Sequence, residues 1–342
     1  MGLDKLNRRV IISTMKIFSG SSNLPLTELI CEKLSVEIGK IKLQTFPSGE
    51  KYCQFLENIR GHDVFLVQSG SSPSNDNLME LLVMGDAARR ASAERITAVV
   101  PYTFYSRQDR KDKSRVPISA KLVMDLLEAS GFNRVLTMDL HSQQTAGFTN
   151  LPVDQLTFKP ALVSAVKEKD IKIDVVVAPD IGAVKRADEY ATALGTELVI
   201  ISKKRNTATS VEVKHFVGDV KGKKVLIVDD LTESAGTLVE ASNACWEEGA
   251  NRVYCAISHG CFTETGYHNL VNAFDEGKIS KLFVSNSVNF PNKWEDVRRL
   301  YKHKTIPMSD YIGRVIIVDV SQWFATAIKN IHNNESVSEL FK

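Results

Sequence analysis

Three apolar runs in this sequence close on carboxylates: Asp139, Asp180 and the adjacent pair Asp229-Asp230. The pair opens into Leu231-Thr232-Glu233-Ser234-Ala235-Gly236-Thr237, a loop rich in small residues that leads into a helix-like stripe. Small residues ahead of a helix expose main-chain N–H groups at the positive end of the helix dipole, which suits a phosphate. Carboxylates beside such a loop are odd for phosphate alone and make sense when the ligand also carries hydroxyls or a metal. A sugar phosphate meets both conditions, with its phosphate on the loop and its diol on the acids. A single acid at a strand end is more simply a cap for a turn or helix. Asp-Asp followed by Ser-Ala-Gly-Thr directly ahead of a helix favours the ligand.

Other stretches are compatible with this chemistry without requiring it. Asp180-Ile181-Gly182-Ala183 runs on to Lys185 and Arg186, so a tight turn is followed by two cations that suit a diphosphate. His141 lies just past Asp139, either as a hydrogen-bonded structural residue or as a metal ligand. Residues 107–115 (RQDRKDKSR) hold five bases and two acids. They read as a solvated charged loop or as a partner for polyphosphate. Their interleaved acids and lack of clustered aromatics argue against nucleic acid. Lys203, Lys204 and Arg205 follow a strand-like run at 198–202. They are ordinary surface or a cationic loop closing over transferring phosphates.

These groups need a scaffold that gathers strand ends. Residues 63–68 (DVFLVQ), 96–102 (ITAVVPY), 134–139 (RVLTMD), 174–180 (DVVVAPD) and 224–230 (KVLIVDD) are short and apolar on both faces. Parallel strands buried between helix layers read this way. Amphipathic stretches lie between them. One covers residues 77–94, capped by Asn75 or Asp76; another has Ile118, Leu122, Leu126 and Leu127 and stops at Gly131; a third has Leu238, Ala241, Ala244 and Cys245 and stops at Gly249. The alternation predicts an α/β fold with mainly parallel sheets flanked by helices. It occurs twice, which predicts two similar domains with a linker at residues 151–154 (LPVD). In open parallel sheets ligands sit beyond the carboxyl ends of the strands, where the acids fall. Residues 263–313 fit the pattern least and read as a long irregular segment.

The 342 residues, 43% hydrophobic and 25% charged, suit two ordinary globular domains. Lys plus Arg (43) less Asp plus Glu (41) leaves +2, so any anion site is local. The chain as a whole advertises neither nucleic acid nor an anionic membrane as partner. Cys31, Cys53, Cys245, Cys255 and Cys261 are scattered without a CxxC pair and read as reduced core thiols of a cytoplasmic protein. No apolar run approaches the about 20 residues of a membrane span. Residues 1–14 lack the apolar core of a secretory leader and read as an extension.

Six stretches, in order, resemble the class I ribose-phosphate diphosphokinases (phosphoribosyl diphosphate synthetases). They are residues 16–22 (KIFSGSS), 75–82 (NDNLMELL), 107–121 (RQDRKDKSRVPISAK), 138–141 (MDLH), 218–220 (GDV) and 335–338 (ESVS). The resemblance implies a type I phosphoribosyltransferase-like fold. Residues 15–155 would form an ATP-side domain, with the tail 323–342 packing on it, and residues 156–322 a ribose 5-phosphate-binding domain. It implies that Phe46 stacks on adenine in a loop with Ser48, Gly49 and Glu50, and that Arg107, Gln108 and Asp109 contact ATP. His141 and Asp180 would hold Mg2+, and Asp180, Ile181, Gly182 and Ala183 would cradle the diphosphate. Lys203 and Arg205 would be the catalytic cations. Asp229, Asp230, Glu233, Ser234, Ala235, Gly236 and Thr237 would grip ribose 5-phosphate. A homo-oligomer is implied, dimer-based and hexameric, with ADP or phosphate as an effector.

Three departures bear on this expectation. Ala183 stands where the family has a second glycine, so a Cβ would crowd a backbone approach or resist a positive φ. Glu233 replaces an aspartate and reaches further, and Ser234 replaces a threonine while keeping the hydroxyl. Two rivals share the loops: a type I phosphoribosyltransferase, which spends the activated sugar, and a non-catalytic regulatory paralogue.

Overall fold

The structure, a computed structural model, describes residues 15–204, 213–289 and 313–341. Two units emerge. One holds the residues up to Thr157, residues 287–289 and the C-terminal stretch from Val320; the other holds the remainder from Phe158 to Asp319. Residues 1–14 lie outside the described residues.

In the first unit the chain runs through β1 (Met15–Ser19), α1 (Leu24–Leu34), the antiparallel hairpin β2 (Ile41–Thr45) and β3 (Lys51–Phe55), and β4 (Asp63–Val67). It continues through α2 (Ser74–Arg90), β5 (Arg95–Val100), α3 (Ser119–Ala129), β6 (Arg134–Met138), a 3-10 turn (Gln143–Phe148) and β7 (Val153–Leu156). Strands β1, β4, β5, β6 and β7 form an all-parallel sheet in that order. All five residues of β4 are buried, which explains its apolar run. The hairpin was not legible as strands, because its residues are largely polar and half exposed.

Two sequence expectations give way here. The stretch read as a linker, residues 151–154, runs into β7, whose Val153 pairs with Val135 of β6. Its polar Asp154 and Gln155 disguised an edge strand, and Asp154 forms an ion pair with Arg134 of the neighbouring strand. Helix α2 begins at Ser74, behind Pro73, rather than after Asn75 or Asp76. Asn75 instead accepts a hydrogen bond from the Tyr105 hydroxyl.

The second unit runs through α4 (Lys159–Glu168), β8 (Val175–Ala178), α5 (Val184–Leu194), β9 (Glu197–Lys204), β10 (Val213–Val217) and β11 (Lys224–Thr232). Then come α6 (Gly236–Glu247), β12 (Arg252–Gly260), α7 (Glu264–Asp275), β13 (Lys281–Ser285) and β14 (Val315–Val318). The sheet order is β10-β9-β8-β11-β12-β13-β14, parallel except where β10 meets β9. On one face, Val175 and Val177 of β8 and Val225 and Ile227 of β11 pack with Leu238 and Cys245 of α6 and Leu270 and Phe274 of α7.

The supposed irregular segment 263–313 is therefore regular at its start, with α7 and β13. Its stripe Tyr267, Leu270, Val271 and Phe274 has helical spacing and is buried. Residues 290–312 lie outside the described residues.

The chain ends in the first unit with α8 (Ser321–His332) and a 3-10 turn (Ser338–Phe341). His332 Nδ1 lies 2.8 Å from Asp63 Oδ2, and Arg95 Nη2 donates to the carbonyl of Ile331 at 2.8 Å. Arg95 also pairs with Asp63 through Nε at 2.9 Å, so one acid, one guanidinium and one imidazole fasten the last helix.

Candidate functional site

The second sheet contains a reversal of strand order. From β8 the chain moves to β9 on one side, then returns to place β11 on the other. At such a switch point the connections leave two adjacent strands in opposite directions, opening a crevice beyond their carboxyl ends. The loop after β8 starts at Pro179-Asp180, and β11 carries Asp229 and Asp230 near its end. The first sheet, ordered monotonically, has no such reversal.

Asp229 is half-buried and Asp230 is buried. Arg186, in the first turn of α5, bridges them, with Nη1 3.3 Å from Asp229 Oδ1 and 3.2 Å from Asp230 Oδ1. Burial first, then the adjacent Asp230 charge, pushes the Asp229 carboxyl up to about 8, against the pull of Arg186. The sequence marked Arg186 as a cation of the diphosphate loop but gave no sign of this pairing, which joins residues 43 and 44 positions apart.

In the loop after β8, Asp180 Oδ1 accepts from the Ala183 N–H at 3.0 Å. Asp180, Ile181 and Gly182 are exposed. Ala183 is buried at φ −83°, so this position needs no left-handed backbone and its methyl meets no conformational penalty.

The loop after β11 is turned by Ala235, which adopts φ 57° at the start of α6. Thr232 Oγ1 accepts from Ala235 N–H at 3.1 Å, and Ser234 Oγ accepts from Gly236 N–H at 3.3 Å. Glu233, Ser234, Gly236 and Thr237 are exposed. A twelve-residue helix stands behind this loop. Lys203 sits near the end of β9, its main chain opposite Lys214. The Lys203 side chain and all of Arg205 lie outside the described residues.

In the first unit, Phe46, Ser48, Gly49 and Glu50 form the turn of the β2–β3 hairpin. Phe46 N–H donates to the Glu50 carbonyl at 2.9 Å and Gly49, at φ 93°, donates to the Phe46 carbonyl at 2.8 Å. Ser48 Oγ donates to Glu50 Oε2 at 3.0 Å. Phe46 is 40% exposed, and its ring meets that of Tyr52 edge-on, at 5.7 Å between centroids.

Arg107 and Gln108 are exposed and Asp109 is half-exposed. Gln108 N–H donates to the Tyr105 carbonyl at 2.9 Å, and Ser119 Oγ donates to Gln108 Oε1 at 2.6 Å. The first turn of α2 serves both stretches: Lys51 of the hairpin lies 3.7 Å from Asp76, and Tyr105 reaches Asn75. His141 is exposed, two residues beyond Asp139, whose φ is 36°. His141 belongs to the first unit and Asp180 to the second. Among the described residues no three His, Cys, Asp or Glu side chains converge as a metal cluster, and no helix is long and apolar enough to cross a membrane. None of the five cysteines forms a disulfide; three are buried and Cys53 and Cys261 are half-buried.

Fold and site together define a class: an α/β protein with paired acids, a guanidinium and a small-residue loop ahead of a helix at a topological switch point, where such folds bind ligands. The family described as the N-terminal domain of ribose phosphate pyrophosphokinase matches residues 15–131, and the phosphoribosyl synthetase-associated domain matches residues 212–342. The ribose-phosphate pyrophosphokinase of Chlorobaculum tepidum is 43% identical over 328 residues, covering 96% of this chain and 95% of its own length. That of Fusobacterium nucleatum is 40% identical over 331 residues, covering 96% and 98%. The crystal structure of phosphoribosylpyrophosphate synthetase from Mycobacterium smegmatis superposes with a TM-score of 0.82 at 33% identity, covering 94% of this chain and 99% of that one. The chain belongs to the ribose-phosphate pyrophosphokinase family.

Proposed function

We propose that this chain transfers the β,γ-diphosphate of ATP to the C1 hydroxyl of ribose 5-phosphate, giving 5-phosphoribosyl 1-diphosphate and AMP. The observation that carries the reading is the likeness to ribose-phosphate pyrophosphokinases along 96% of the chain. The acid pair and anion loop at the switch point supply the chemistry the pentose needs. The C1 oxygen attacks the β-phosphorus, the bond from that phosphorus to the α,β-bridging oxygen breaks, and AMP leaves with the oxygen. The hydroxyl proton is released. Such a transfer needs alignment and charge neutralisation more than covalent help.

In this reading Asp229 and Asp230 take the ribose diol, and the loop from Glu233 through Thr237 takes the 5-phosphate. Asp180 to Ala183 take the diphosphate. Phe46 stacks on adenine beside Ser48, Gly49 and Glu50, while Arg107, Gln108 and Asp109 hold the nucleotide's polar groups. Lys203 and Arg205 offset the charge that builds on the transferring group. Exposed Asp180 offers the carboxylate oxygen that Mg2+ favours, since this ion keeps several waters and binds through one or two carboxylates plus phosphate oxygens, and His141 is assigned to the ion on the family likeness. Bound Mg2+ would neutralise charge on the diphosphate oxygens. We also assign the chain to the cytoplasm, consistent with its free thiols, and to a dimer-based hexamer with ADP or phosphate as effector, on the family likeness.

The test is AMP release with each component omitted in turn. AMP should appear only when ATP, ribose 5-phosphate and Mg2+ are all present. ATP binding without AMP would make the chain a regulatory paralogue. Base-dependent release of diphosphate from phosphoribosyl diphosphate would make it a transferase.

A further inference from the structure

Helix α7, in the segment with no assigned role, is fastened to the loop after β11. The Glu233 carbonyl accepts two hydrogen bonds from one residue, from the Thr263 N–H at 2.9 Å and the Thr263 hydroxyl at 3.2 Å. The next carbonyl, of Ser234, accepts from Asn269 Nδ2 at 2.9 Å. The approach is so close that a Cβ on Gly266 would lie 2.0 Å from the Glu233 carbonyl oxygen. The Thr263 hydroxyl also accepts from the Gly266 N–H at 3.3 Å, capping α7, so a single oxygen joins helix cap and loop. Tyr267, Leu270, Val271 and Phe274 root α7 in the core of the second unit.

These ties act on two consecutive peptide planes. In a trans peptide the C=O and the following N–H point in opposite directions. Holding the Glu233 and Ser234 carbonyls toward α7 therefore turns the N–H groups of Ser234 and Ala235 away from it, the latter onto Thr232 Oγ1, which braces the loop from its other side. An exposed loop left untied would lose conformational freedom on binding; this one is ordered beforehand.

We propose that Thr263, Gly266 and Asn269 are positioning residues for ribose 5-phosphate, setting the loop that receives it. The inference rests on reading residues 229–237 as the sugar-phosphate site, and its test separates the two. Full-length Asn269→Ala, Gly266→Ala, Thr263→Val, Thr263→Ser and, as a direct-contact comparison, Thr237→Ala are assayed for AMP release with each substrate varied in turn. Asn269→Ala, at a half-exposed position that folding tolerates, should raise KM for ribose 5-phosphate about fivefold, the equivalent of one neutral hydrogen bond. Gly266→Ala must displace the Glu233 carbonyl and should raise it about tenfold or more, since misplacement by an ångström is costly. Thr263→Val should follow the same direction and Thr263→Ser should restore the wild-type value. KM for ATP should not change in any of them.

If Thr237→Ala raises KM for ribose 5-phosphate while Asn269→Ala does not, the positioning role is refuted and the site reading stands. The role is equally refuted if Asn269→Ala shifts both KM values together. If Thr237→Ala also leaves that KM unchanged, the sugar-phosphate reading fails and the inference fails with it.

Discussion

Asp229 offers a sharp physical test, because its folded environment holds a proton that an ordinary carboxylate would lose. Burial and the Asp230 charge raise it to about 8, with Arg186 opposing. In the unfolded chain it titrates near the usual carboxylate value, about 4. Between those values the folded state binds the extra proton. The stability it contributes is complete below about pH 4 and is lost as pH rises toward about 8. The perturbation is Asp229→Asn, which keeps the shape of the protonated acid and cannot ionise.

One proton is linked to folding, so the wild type should lose up to about 1.4 kcal/mol relative to the variant for each pH unit. From about pH 5 to about pH 7 that amounts to at most about 3 kcal/mol. Urea unfolding of both proteins at several pH values, without ligands, reads this difference directly. Arg186→Met removes the guanidinium that lies 3.3 Å from Asp229, so the loss should then continue above about pH 8. A wild-type-minus-variant difference that stays flat with pH, or moves in favour of the wild type as pH rises, refutes the reasoning.

The Asp63 cluster should show the opposite pH behaviour. Burial would raise this carboxyl, but hydrogen bonds from Arg95 and His332 outweigh it and hold it below the usual range. Its stabilisation is present above about pH 4 and fades as pH falls further. Asp63→Asn should cost about 2–4 kcal/mol in urea unfolding, below the fully buried limit because Arg95 is partly exposed; a loss too small to measure would deny the latch on the last helix. Phe46→Ala should leave stability within about 0.5 kcal/mol. It should raise KM for ATP by about five- to a hundredfold, the worth of a base stacked on an aromatic ring at ~1–3 kcal/mol; an unchanged KM places the base elsewhere. Lys203→Ala should lower kcat about 100- to 1000-fold with little change in either KM, the scale of a lost oxyanion donor. Near-wild-type kcat in single-turnover assays would remove Lys203 from catalysis.

The amino-acid sequence by itself determined the α/β class, the buried strands and the small-residue loop after Asp230. These depend on short-range regularities: apolar runs, helical stripes and turn residues are written in neighbouring positions. The charges of residues 107–115 were legible directly, whereas likeness to known loops singled out Phe46 to Glu50 without showing that they turn a hairpin. The sequence misjudged β7, where two polar residues concealed an edge strand, and α7, whose stripe was present but obscured by the stretch that follows.

Only the tertiary structure decided which strands became neighbours. Placing β11 beside β8, rather than beside β10, creates the switch point, and no local pattern specifies that order. The Arg186 bridge, the raised Asp229 and the grip of Asn269 on Ser234 all follow from it or from packing across the sheet. The Arg186 and Asn269 contacts join residues from 35 to 44 positions apart. A hydrogen bond of that span leaves no periodic trace in the chain, because its partners are brought together only when the core beneath them closes.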